Sequence, residues 1–106
     1  MRILFDQGTP VPLRRCLTGH QVDTAYERGW SCVSNGDLIR SAEQGGYELL
    51  ITTDTNLRYQ QNLSERAIAI LVLTTTSWPR IRQATDRIQA AIAGMDPGSY
   101  RELLIP

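Results

Sequence analysis

The run Ala67-Ile68-Ala69-Ile70-Leu71-Val72-Leu73 constrains this chain more than any other segment. It has no polar side, so it cannot be a strand with one face in water, and it is far too short to cross a bilayer. A strand apolar on both faces belongs inside a parallel sheet covered by helices on both sides. Two further apolar segments, Arg2-Ile3-Leu4-Phe5 and Leu49-Leu50-Ile51-Thr52, are candidates to pair with it.

Between these strands the chain reads as helix. Thr9 is expected to cap a helix with Pro10 in its first turn, where the missing N–H is harmless, running to about Thr18 with Gly19 as the stop. Residues 21–25 read as a short polar strand nearer an edge. Ser34-Asn35-Gly36-Asp37 starts a helix with Leu38, Ile39 and Ala42 as its apolar stripe, and Gly45-Gly46 ends it. Residues 47–52 form the third strand, and residues 55–63 a short helix or ordered loop rich in amides. Ser77 and Pro79 open one long helix in which Ile81, Ala84, Ile88 and Ala91 recur at helical spacing. Residues 100–105 make a last strand. Strand and helix alternate with no linker or repeat, so the expectation is one α/β domain over residues 1–106, a three-layer α/β/α sandwich with a mostly parallel central sheet.

Bulk properties narrow the function. The chain is 42% apolar and carries eleven basic and eleven acidic residues, a formal charge of zero. Every basic residue is arginine. A neutral chain does not bind nucleic acid through a broad basic field, though it can hold a substrate through an ion and a few local arginines. The N-terminus enters a strand pattern without a basic stretch, apolar run and cleavage site, so a cytoplasmic protein without membrane contact is expected. Cys16 and Cys32 lack metal-type spacing and read as free thiols. No glycine-rich dinucleotide fingerprint or phosphate-cradling Gly-Lys-Ser/Thr motif is present.

The candidate site residues are acids where parallel strands end, the place at which open α/β sheets bind ligands. Asp6 follows the first strand, Asp54 the third, and Asp37 stands in the first turn of a helix between them. Crowded carboxylates repel, by roughly 1 kcal/mol at about 4 Å in water and more where water is excluded, and a divalent ion relieves that repulsion. Each acid also has a plain reading: Asp6 and Asp54 as turn or cap residues, Asp37 as an acid favoured by the helix dipole. Thr52 and Thr53 are either β-branched strand filling or hydroxyls that orient a neighbouring carboxylate. Asn56, Arg58 and the amide-rich Gln60-Gln61-Asn62 follow Asp54 closely enough to face a substrate, and the Arg58 fork suits a phosphate. His20, the one histidine, reads as a turn residue, and Trp30 and Trp78 as seals at the core edge.

Leu4-Phe5-Asp6-Gln7, then Pro10, then Gly19-His20-Gln21-Val22 resembles the opening of a family of short bacterial PIN-like proteins. Asn35-Gly36-Asp37-Leu38-Ile39 looks like that family's acidic helix start, and Leu50-Ile51-Thr52-Thr53-Asp54-Thr55-Asn56-Leu57 like its third strand end. The resemblance implies a PIN-like fold and a Mg²⁺- or Mn²⁺-dependent ribonuclease, often the toxin of a toxin–antitoxin pair and often a homodimer. It implies Asp6, Asp37 and Asp54 as metal ligands and catalytic acids, an RNA substrate, and an antitoxin protein as partner. Gln7, Asn35 and Asn56 stand where relatives often have acids. With Arg58 and Gln61 they are the expected substrate-facing residues, and they lower the charge available to an ion.

Two alternatives remain open at this stage. One is a PIN-like module that binds RNA or protein without cutting. The other is a phospho-accepting receiver-like domain with Asp54 as acceptor, Asp6 on the metal and Thr74 or Thr75 as switch hydroxyl; the chain lacks the lysine that such chemistry relies on.

Overall fold

The structure, a computed structural model, describes residues 1–57 and 66–106. Among the described residues, five strands form one sheet: β1 (Arg2–Phe5), β2 (Gln21–Thr24), β3 (Leu49–Thr52), β4 (Ala69–Leu73) and β5 (Tyr100–Leu103), in the order β2-β1-β3-β4-β5. Every pairing is parallel. The fold class is α/β, as the strand–helix alternation predicts. Helix α1 (Asn35–Gln44) covers one face, and a 3-10 helix (Val11–Cys16) with α2 (Trp78–Gln83) and α3 (Thr85–Ala93) covers the other.

The pleat sorts the apolar residues. Ile3, Phe5, Leu49, Ile51 and Leu71 point to one face and pack against Leu13, Leu17, Ile81 and Ile88. Leu4, Leu50, Ile70 and Val72 point to the other and meet Leu38, Ile39 and Ala42 of α1. All five residues of β4 are buried, which is why its sequence shows no alternation. β2, exposed at Gln21 and half-buried at Asp23, stands at a sheet edge as its polarity predicts.

Three local expectations are corrected. The helix after β1 is a 3-10 helix ending at Cys16, because Pro10 and Pro12 remove two donors from its start and the remaining turns close over three residues, Leu13 N to Pro10 O and Leu17 N to Arg14 O. Pro10, not Thr9, takes the cap position there, and no side chain caps it. The long helix divides at Ala84, whose φ of −111° and ψ of 14° leave the α region. The Ala84 N–H bonds Ile81 O three residues back, and a new helix starts at the β-branched Thr85. Ile81, Ala84, Ile88 and Ala91 still all face the core. The last strand stops at Leu103, and the Ile105 N–H bonds Thr74 Oγ1 at 2.9 Å. The amide-rich segment after β3 lies mostly outside the described residues.

On the α1 face, the Tyr47 hydroxyl donates to Asp23 Oδ2 at 2.5 Å and receives Arg28 Nη1 at 3.2 Å. Trp30 meets the Tyr47 ring edge-on at 6.2 Å, and the Arg2 guanidinium lies 4.6 Å from the Tyr47 ring centre. Burial, then the bond to Asp23, raises the Tyr47 hydroxyl above its ordinary pKa of 10.0. The folded value thus exceeds the unfolded one, so this contribution is complete below about pH 10 and is lost as pH rises through the folded value. Unfolding free energy measured from about pH 9 to 11 is expected to fall more steeply for the wild type than for Tyr47→Phe. A core substitution gives an independent check: Ile51→Ala should lower stability by about 2–5 kcal/mol with an unchanged denaturant slope.

Candidate functional site

In this strand order the chain leaves β1 toward one side of the sheet and resumes at β3 on the other, so the crevice for a ligand opens at the carboxyl ends of β1 and β3. Phe5 pairs with Ile51, which sets Asp6 beside Thr52. The Asp6 N–H bonds Ile51 O at 3.2 Å and carries the ladder one step beyond β1. Both residues that the sequence places at the strand ends, Asp6 and Asp54, therefore stand at this switch point.

Hydroxyls fix the Asp6 carboxylate. Thr9 Oγ1 lies 2.7 Å from Asp6 Oδ1 and 2.9 Å from Ile51 O, and Thr52 Oγ1 donates to Asp6 Oδ2. Thr9 and Thr52 are both buried, so these contacts persist out of water. Thr52 Oγ1 also accepts the Asp54 N–H at 3.1 Å and so joins the two acids through one oxygen. Asp54 Oδ2 takes Asn35 Nδ2 at 2.8 Å from the first residue of α1, and Asp54 Oδ1 takes the Asn56 N–H at 3.0 Å. Gly8 lets the two strand ends close on each other, since a Cβ there would lie 2.7 Å from Thr53 Oγ1.

Asp6, Gln7, Asn35 and Asp54 are thus brought together. Asn56 serves through its backbone, and its side chain is exposed. Asp37 points elsewhere: its N–H bonds Ser34 Oγ at 3.3 Å, and its carboxylate pairs with Arg40 at 2.9 Å on the exposed side of α1. Arg58 and Gln61 lie outside the described residues. Of the two candidate switch hydroxyls, Thr74 accepts the Ile105 N–H and Thr75 accepts the Ser77 N–H. His20 is half-buried at its turn, Trp30 and Trp78 pack on the core edges, and both cysteines are free.

Two hollows flank Asp6. One of about 140 Å³ runs under α1 past Gln7, Trp30 and Asn35. The other, of about 250 Å³, lies on the 3-10 helix side against Thr9, Val11, Arg14 and Tyr26. No motif marks this second side: Tyr26 and Arg14 belong to none, and only the fold brings them beside Asp6. Arg14 pairs with Glu27 at 2.7 Å, and that bond, then the Thr24 N–H, lowers the Glu27 carboxyl below its ordinary pKa.

Neither Asp6 nor Asp54 has a basic partner among the described residues. Among the described residues, no three His, Cys, Asp or Glu side chains converge to hold a metal ion. A three-acid cage is therefore not assembled among them. Two carboxylates, each oxygen keeping a free lone pair, fit a hard divalent ion that retains most of its water, the usual habit of Mg²⁺.

Comparison with family models, with curated proteins and with solved structures gives no match.

Because Thr52 Oγ1 serves both acids, Thr52→Val keeps the shape while orphaning an Asp6 oxygen and the Asp54 N–H. Chemical denaturation should show a loss of about 1–3 kcal/mol.

Proposed function

We propose that the chain is a PIN-like, Mg²⁺- or Mn²⁺-dependent ribonuclease of toxin type. The observation that carries this reading is the pair Asp6 and Asp54, joined through Thr52 and without an arginine partner among the described residues, at the carboxyl ends of adjacent parallel strands. Asp6 and Asp54 would hold the ion, with the Asn35 amide beside them. Bound there, the ion lowers the pKa of a water and offsets charge on the phosphate. The chain's own part is orientation. Thr9 and Thr52 fix the plane of the Asp6 carboxylate, Asn35 fixes Asp54, and the exposed Gln7 offers an amide to the substrate. Asp37, paired with Arg40, takes no part in this arrangement. The reading carries with it a cytoplasmic setting, an antitoxin protein and a homodimer.

A second reading has its own support. All four oxygens of Asp6 and Asp54 already accept hydrogen bonds from the protein, as in a polar cluster that closes two strand ends. The chain would then bind RNA or a protein without cutting it. The phospho-accepting alternative shares the strand order, but the chain has no lysine to pair with a phosphoryl group.

Metal separates the first two readings. Mn²⁺-dependent cleavage of a pool of structured and single-stranded RNA is expected from the wild type, and neither from folded Asp54→Asn nor under chelation. Absence of cleavage by folded wild type would leave the binding module. Mn²⁺ should also raise the melting temperature, with a stabilisation of about 2.7 kcal/mol at a hundredfold excess over Kd. A flat melting profile would count against the ion site.

A further inference from the structure

We propose that the hollow between Tyr26 and the 3-10 helix seats one unpaired nucleotide, its base on the Tyr26 ring and its phosphate at Arg15. Single-stranded RNA is then the ligand class of this site. The inference rests on the proposed nuclease function only for the bond that is cut, not for the binding.

Tyr26 is 78% exposed, whereas Phe5 and Tyr47 are buried and Trp30, Trp78 and Tyr100 are partly buried against the cores. Its ring joins no aromatic or cation contact among the described residues. The backbone beneath it is firmly held: the Ala25 N–H bonds Phe5 O at 2.8 Å, the Gly29 N–H bonds Tyr26 O at 3.1 Å, and Thr24 and Glu27 exchange bonds at 2.9 and 3.1 Å. An aromatic ring left in water on a fixed turn is ready to stack and loses little freedom in doing so.

The hollow beside it suits one planar ring. Its volume of about 250 Å³ falls below the about 300–1,000 Å³ of pockets that enclose larger ligands. Val11, 53% exposed, gives it an apolar wall, and Asp6 lies in its lining. A base seated there would therefore belong to a nucleotide adjacent to the proposed ion site. Glu27 brings no net repulsion, because Arg14 neutralises it at 2.7 Å. Val11 and Arg14 also line the adjoining hollow of about 340 Å³ that reaches Arg15. Arg15 is exposed and has no acidic partner among the described residues, so its fork is open to a phosphate.

A base within a duplex has both faces covered by its neighbours. Only an unpaired base offers a face to Tyr26. With a single arginine on the phosphate and no net charge on the chain, stacking is the main attraction and the salt dependence is shallow.

The test is anisotropy of a short fluorescein-labelled oligoadenylate titrated with wild type, Tyr26→Ala, Tyr26→Phe and Arg15→Ala, all in chelator so that nothing is cut. Circular dichroism confirms each fold. Tyr26→Ala is expected to weaken binding about tenfold, while Tyr26→Phe binds as wild type. The log–log salt slope should lie near about −0.7, one phosphate, and flatten in Arg15→Ala. An RNA duplex should bind weakly and equally to all four proteins. Wild-type affinity in Tyr26→Ala, equal affinity for duplex, or no binding of the oligoadenylate would overturn the inference. The Mn²⁺ cleavage assay keeps the two proposals apart. Tyr26-dependent binding without cleavage by any protein supports the groove and removes the nuclease. Cleavage indifferent to Tyr26 does the reverse.

Discussion

The pairing of β1 with β3 holds the arrangement together. Ile3, Leu4 and Phe5 lie against Leu49, Leu50 and Ile51 with both faces buried, and a slip of one residue would send each of those side chains to the opposite core. The apolar contacts therefore set the register, and the register sets Asp6 beside Thr52. The polar chemistry at the strand ends is a by-product of hydrophobic sorting a few residues away. Thr9 reinforces it by sharing its one hydroxyl proton between Asp6 and the Ile51 carbonyl, so the loop after β1 is fastened to the strand on the far side of the switch point.

The site is balanced between two kinds of stability. The hydroxyl and amide donors of Thr9, Thr52, Asn35 and the Asn56 backbone hold the carboxylate oxygens of Asp6 and Asp54 at one crevice. Donors of this kind hold the oxygens in place without cancelling their charge, unlike an arginine. Among the described residues the crevice is thereby ordered and still negative, which is what a cation site and a sealed strand end have in common. On the 3-10 helix side, the Arg14–Glu27 pair is neutral, so polarity changes across Asp6 from anionic to nearly apolar within one groove.

Much of the fold could be read from residue patterns, for physical reasons that differ by element. β4 declared itself because a strand buried on both faces has no polar positions, and α1 because Ser34, the stripe Leu38, Ile39 and Ala42, and Gly45 mark its start, face and end. Strand order could be read only in part: polarity sets β2 at an edge, but apolar content does not say whether β3 or β4 lies next to β1. The break at Ala84 was hidden because the apolar spacing runs straight across it. At the site, Asp6 and Asp54 were legible from their place after apolar strands. Whether Asp37 would turn inward or toward Arg40 was not, because a first-turn acid can do either. Thr9 read as a cap, and only the three-dimensional approach of Ile51 gave its hydroxyl a better acceptor. Tyr26 carried no periodic or motif signal at all.

The separation of the two acids along the chain has a consequence for how the molecule forms. Thr52 and Asp6 are 46 positions apart, while β1 and β2 are joined by a much shorter loop, so the β1–β2 ladder costs less chain entropy to close than the β1–β3 ladder. Until β3 docks, Phe5 and Leu4 have an open flank and the Asp6 carboxylate has no Thr52 donor. Non-local closure of this kind is slow relative to local structure. A nascent or partly unfolded chain that has lost β3 therefore lacks the crevice altogether, rather than holding a weakened version of it. Activity at this site, of whatever kind, reports on completed folding.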